Sequence, residues 1–304
     1  MVCAFKQPNH DKLARMRLKA DLTLLLAALV WGLGFIAQRY AALEVGALLF
    51  NAARWTLGGL VMLPFIRFNL HLDRMTIPWM AAGGSILFAA SGLQQAGLEF
   101  TTAGNAGFIT GTYVVIIPIL LTIFWKERSN WSIWLAAFMT TIGIYMLGSG
   151  GVLRFNWGDG IVLIGAVLWA LHVIVTGMGV KHVPVLAFVT GQFLVCGILN
   201  MIFGLAFQRE SLPALLPAWT SILYLSLIST GVGFTLQAYG QRHAPPADAA
   251  IILSLEAVFA ALFGWLLLSE KLTLIQVVGC FLIMGAIFIS QLLTSRALKT
   301  EVLG

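Results

Sequence analysis

Arg54 and Glu256 lie near the centres of long apolar stretches. Placing a charge in hydrocarbon costs at least ~2.5 kcal/mol, so each must face a partner or a wet cavity. One reading is a buried Arg54–Glu256 pair that fixes packing. The other makes Glu256 a proton-coupled carboxylate or a contact for a substrate amine, with Arg54 a second ligand contact. Polar and aromatic residues recur at helical spacing around them. Trp31 and Gln38 are seven apart and share a helix face. Trp169 and Thr176 repeat that spacing, with His172 on the same face. Further rows are Ser91, Gln94 and Gln95; Asn105, Thr112 and Tyr113; and Thr230, Gln237 and Gln241 with Phe234 between. Any single hydroxyl or amide is explained by an interhelical hydrogen bond, worth about 0.6 kcal/mol. As a set they suggest one central cavity walled by Trp31 and Trp169, suited to aromatic or planar ligands. The candidate ligand contacts are Trp31, Gln38, Arg54, Gln94, Tyr113, Trp169, His172, Gln237 and Glu256, with Glu256 the candidate coupling residue. His172 has no second ligand at metal-binding spacing. Cys3, Cys196 and Cys280 are too scattered for a disulfide framework or a metal cluster. No metal or cofactor is expected.

The elements that must hold these residues are membrane helices. The chain is 60% apolar and 10% charged, with mean hydropathy +0.93. An ordinary soluble domain carries roughly a quarter charged residues. Ten blocks are long enough to cross a hydrocarbon core: 21–40, 45–66, 77–98, 103–125, 131–149, 157–179, 184–207, 215–240, 247–268 and 272–294. The expected fold is an all-α membrane protein of ten transmembrane helices, with tails at 1–20 and 295–304. Connections are short, which leaves no room for an ATPase domain, and no G-x-x-x-x-G-K-[ST] loop occurs.

The net charge of +6 is distributed by side rather than gathered for nucleic acid. If the N-terminal tail is cytoplasmic, its side holds Lys6, Lys12, Arg15, Arg17, Lys19, Arg67, Arg74, Lys126, Arg128, Lys181, Arg242, Arg296 and Lys299. The other side holds only Arg39, Arg154, Arg209 and Lys271. That asymmetry predicts both termini in the cytoplasm and residence in the cell (inner or plasma) membrane. Block 21–40 is too long for a signal-peptide core and is expected to stay in the mature chain.

An internal repeat runs through the blocks. An offset of 138 lays DLTLLLAALVWGL (21–33) on DGIVLIGAVLWAL (159–171), pairing Asp21 with Asp159 and Trp31 with Trp169. It also lays Arg54 on Gln192 and Gly59 on Gly197. An offset of 143 pairs Leu93-Gln94 with Leu236-Gln237, Tyr113 with Glu256, and Glu127-Arg128 with Glu270-Lys271. Five spans per unit is an odd number, so the second copy must enter the membrane upside down. The units are residues 21–149 and 157–294, two inverted five-helix repeats, an arrangement that builds alternating-access carriers with a midplane site.

The stretch LQQAGLEFTTAGNAGFITGTYVVIIPILLTIFWKER (93–128) resembles the third and fourth spans of an EamA-type domain. SLEAVFAALFGWLLLSEKLTLIQVVGCFLIMGAI (254–287) is similar to the ninth and tenth, and Ala28-Leu29-Val30-Trp31-Gly32-Leu33-Gly34-Phe35 to the opening span. The resemblance covers Asp21 to Thr294 and points to the drug/metabolite transporter superfamily. It implies a ten-span carrier of amino acids, nucleosides or related metabolites, frequently an exporter, with spans one to four and six to nine as the moving core. Many members have Glu-Pro in the ninth span where this chain has Glu256-Ala257, and its fourth span carries Pro118 instead.

The expected function is therefore gradient-driven or facilitative transport of a small metabolite, and not catalysis. The alternatives are an intramembrane lipid-modifying enzyme or lipid-like substrate translocator, and a channel. The scattered acidic residues count against an enzyme, and the lack of a filter loop against a channel. Small-residue faces on the fifth and tenth spans allow a monomer or a homodimer.

Overall fold

Long apolar segments offer the backbone no partner but itself, and helices are the answer wherever the chain is described. The structure, a computed structural model, describes residues 10–66, 76–127, 129–149, 156–268 and 271–303. Cys3, Lys6, Arg67, Arg74, Arg128, Arg154 and Glu270 lie outside the described residues. In chain order the helices are α1 (His10–Gly32), α2 (Gly34–Ala42), α3 (Ala47–Met62), α4 (Thr76–Gly97), α5 (Ala103–Gly111), α6 (Tyr113–Phe124) and α7 (Trp131–Ser149). They continue with α8 (Trp157–His182), α9 (Val185–Phe207), α10 (Trp219–Tyr224), a wide-turned π segment (Leu225–Phe234), α11 (Thr235–Gln241), α12 (Pro246–Leu253), α13 (Leu255–Leu268) and α14 (Leu274–Leu303). No strand occurs among the described residues.

Seven helical stretches among the described residues are long and apolar enough to cross a membrane, and two shorter apolar ones lie at Trp131–Leu147 and Leu274–Ser290. The first expected span is different. It falls on α1 and α2, which a lapse at Leu33 separates, and α1 starts in the charged segment at His10. Both expected tails are partly helical for the same reason: α1 begins before Asp21 and α14 runs to Leu303.

Two helix lapses share a cause. Thr112 donates its hydroxyl to Ile109 O, and Ser254 to Ile251 O. Such back-bonding competes with the regular ladder, and α6 and α13 restart just beyond. The start of α8 is fixed by a capping box. The Asn156 side chain accepts from the Asp159 N–H at 3.1 Å, and Asp159 Oδ2 from the Asn156 N–H at 2.8 Å.

The helices pack closely: α3 along α9, α4 along α8 and α9, α7 along α14, and α1 against α13, α11 and the π segment. Glycine makes this possible. A Cβ at Gly143 would stand 2.7 Å from Gly279 O, and one at Gly59 2.7 Å from Leu194 Cδ2, so the helices meet through bare backbone. The molecule is inside-out relative to a soluble protein. Phe138, Phe203, Phe281 and Phe288 are exposed, while Asn51, Arg54, Gln95, His172, Gln192, Thr230, Gln241 and Glu256 are buried. Lipid suits the first group, and the second needs internal partners.

Candidate binding cavity

A cavity opens between α1, α2, α3, α4, α5, α6, α8, the π segment, α11 and α13. Its lining includes eight of the nine residues singled out in the sequence: Trp31, Gln38, Arg54, Gln94, Tyr113, Trp169, Gln237 and Glu256. His172 is the exception. It stands behind the wall, edge-on to Trp169 at 5.7 Å between ring centroids, with its Nε2 2.9 Å from Gln192 Oε1.

The wall is aromatic. Phe234 sits at its centre, 4.7 Å from Trp31, 5.1 Å from Trp55 and 5.9 Å from Trp169 between centroids. Trp31 is anchored because its Nε1 donates to Ser229 O at 3.0 Å, a carbonyl on the π segment. The Trp169 Nε1 has no hydrogen-bond partner among the described residues.

Arg54 forms a cationic pole. Its Nε donates to Thr230 Oγ1 at 3.0 Å, its Nη1 to Gln38 Oε1 at 3.2 Å and its Nη2 to Ser229 Oγ at 3.3 Å. The guanidinium carbon lies 4.7 Å from the centroid of the Trp55 ring, a favourable cation–π distance. All three acceptors are neutral. A guanidinium has five N–H donors, so two remain on Nη1 and Nη2, the number a carboxylate takes up as a bidentate partner. The wide turn of the π segment is what aims the adjacent Ser229 and Thr230 at one guanidinium.

Glu256 is the second ionisable group of the lining, in the first turn of α13. The Tyr113 hydroxyl interacts with it without closing a hydrogen bond of normal geometry. Gln94 donates to Thr110 Oγ1 at 2.9 Å, and Gln237 Oε1 lacks a donor. The packing reading required Arg54 to pair with Glu256. Among the described residues the ion pairs are Arg17 with Asp21 and Arg17 with Asp248, and none joins Arg54 to Glu256.

The other polar rows do other work. Gln95 donates to Gln38 O and ties α4 to α2; Gln241 donates to Val173 O; Ser91 bonds Leu87 O. Asn105 donates its backbone N–H to the Thr102 cap. Gly34, Thr110, Val173 and Ser229 line the cavity although their types and spacing did not single them out. Ser229 was hidden because regular helical spacing turns it away from Thr230. No group of three His, Cys, Asp or Glu that could hold a metal occurs among the described residues.

The model of the EamA-like transporter family matches the chain twice, at residues 18–149 and 156–292. The chain belongs to the EamA-like transporter family. Within that family it is similar to an "Uncharacterized transporter" of Archaeoglobus fulgidus, 33% identical over 278 residues that span 91% of this chain and 87% of that one. It is also similar to the "Uncharacterized transporter YoaV" of Bacillus subtilis, 22% identical over 295 residues covering 91% and 98%. A solved crystal structure shares the fold at a TM-score of 0.76 and 19% identity, covering 91% of this chain and 98% of that one. Family and relatives together make this EamA-like protein a multi-pass membrane transporter, with a small molecule as substrate and the bilayer as its surroundings.

Proposed function

We propose that the protein carries zwitterionic small metabolites, amino acids or close relatives, by alternating access, with Arg54 holding the carboxylate and Glu256 the amine. The observation that carries this reading is that two buried ionisable side chains of opposite type, Arg54 and Glu256, line one cavity without pairing with each other. An uncompensated buried charge is costly, and a ligand bearing both opposite charges relieves both poles at once. The aromatic wall of Trp31, Phe234 and Trp169 suits a planar or apolar side chain.

The carrier is a ten-span protein of two inverted five-helix repeats in the cell membrane, with both termini cytoplasmic. The bias of basic residues supports that orientation. The packing pattern supports the repeats: numbering spans in order, two packs with seven and eight, five with ten, three with six and seven, one with eight and nine, and four with six. Exchanging each span for the one five places away returns the same set. Net flux is outward, the direction the family resemblance favours. The process is gradient-driven or facilitative, and Glu256 is the residue that exchanges the substrate amine for a proton in a coupled cycle.

Counterflow in proteoliposomes tests the two poles. Glu256→Gln leaves folding intact and abolishes amine-dependent transport, whereas Arg54→Gln weakens recognition of the carboxylate by about 2 kcal/mol or more, roughly thirtyfold. Wild-type counterflow by both variants would sink the assignment.

A further inference from the structure

The offset of 138 that lays Trp31 on Trp169 and Arg54 on Gln192 also lays Gln38 on Thr176 and Gly34 on His172. Each set of four closes into a cluster in the structure. In the first, Arg54 reaches Gln38 Oε1, and Gly34 lines the cavity beside them. In the second, the imidazole of His172 lies between Gln192 and Thr176, with Nε2 2.9 Å from Gln192 Oε1 and 3.5 Å from Thr176 Oγ1. His172 is fully buried and closes this half of the cavity behind Trp169 and Phe234.

Packing does not demand a glycine at position 34. A Cβ there would meet Ser229 Oγ at 3.5 Å, Leu225 Cδ2 at 3.7 Å and Gln38 Nε2 at 3.9 Å, all ordinary contacts. Neighbouring glycines differ. A Cβ at Gly32 would stand 2.6 Å from Phe259 Cβ, and one at Gly58 2.8 Å from Thr230 Cγ2. Gly32 and Gly58 let helices touch, whereas Gly34 keeps open a space bordered by Ser229 and Gln38, two of the groups that hold Arg54.

We infer that Gly34 is a specificity-determining position: its bare backbone leaves the room in which the ligand carboxylate meets Arg54. The equivalent room in the other repeat is permanently filled by the His172 imidazole. A two-fold cavity thereby becomes a site with one anion pocket and one orientation for its ligand. The inference rests on the carrier reading above and deepens it.

Gly34→Ala and His172→Gly, in the full-length protein, test it. The probes are a labelled neutral L-amino acid, the primary amine that lacks its carboxylate, and free imidazole. Gly34→Ala keeps the wild-type melting midpoint and raises KM for the amino acid at least tenfold more than KM for the amine. Unchanged KM values, or equal losses for both probes, would overturn the assignment of Gly34. His172→Gly opens the second room, so millimolar imidazole raises the melting midpoint of that variant and not of the wild type. No such stabilisation would overturn the equivalence of the two positions. A wild-type protein that moves no amino acid would instead fail the carrier reading, and the imidazole measurement would still decide whether His172 fills a vacant half.

Discussion

Arg54 is held by neutral oxygens on two elements, Gln38 on α2 and the Ser229–Thr230 pair on the π segment. Those hydroxyls orient the guanidinium without neutralising it, which leaves its charge for a ligand. Replacing Thr230 by Val and Ser229 by Ala together should raise KM for a carboxylate-bearing substrate several-fold while the fold persists, as read by counterflow and by the melting midpoint. Hydrogen bonds to a charged group are worth about 1.5–3 kcal/mol each, and partial compensation by the remaining Gln38 bond sets the lower figure. Trp31→Ala and Trp169→Ala should both weaken binding, Trp31 more, because it also loses the bond to Ser229 O. Equal affinity in both variants and the wild type would reduce the pair to packing residues. Most of the cavity was legible in the sequence at this scale, because membrane-buried polar residues are few and share helix faces. Gly34 and Ser229 were not: a glycine beside an open space reads like any packing glycine, and an adjacent pair of hydroxyls shares a target only where the helix widens.

At the scale of elements, the lapses at Leu33, Thr112 and Ser254 and the π segment all border the cavity, and irregular backbone in a membrane helix is tolerated only where it is covered or lines a site. Among the described residues seven of the apolar blocks fall on helical stretches long and apolar enough to span, since hydropathy dictates them. Their interruptions were hidden, because a Thr or Ser inside an apolar run gives no sign of whether it bonds its own backbone. The cap of α8 is the clearest local device. Asn156→Ala should cost about 1 kcal/mol and lower the melting midpoint without altering substrate affinity. The α7–α14 contact depends on bare backbone at Gly143 and Gly279. Gly143→Ile should separate these helices and lower the yield of monodisperse protein, measured by size-exclusion chromatography.

At the scale of the molecule, two contacts tie the repeats at their ends. Arg17 on α1 bonds Asp248 on α12 at 2.7 Å, and Thr101 donates to Asp159 on α8. Asp21 and Asp159 correspond in the repeat, yet one closes its contact through an arginine and the other through a hydroxyl. Asp248→Asn should loosen the Arg17 contact and speed thiol labelling of a cysteine placed at Gln237, reported from the side of the N-terminus. The offsets point to two units because the matched residues keep their order. Which charges pair could not be read that way, since Arg17 and Asp248 are 231 residues apart.

The central claim is that one cavity offers Arg54 and Glu256, unpaired with each other, to a single zwitterion. The most direct measurement is counterflow by the wild-type protein in liposomes, comparing neutral amino acids with their decarboxylated amines and deaminated acids. Saturable counterflow of the zwitterion, with both truncated analogues at least tenfold weaker, is the predicted result. Equal transport of the analogues, or saturable transport of an uncharged compound alone, would contradict it.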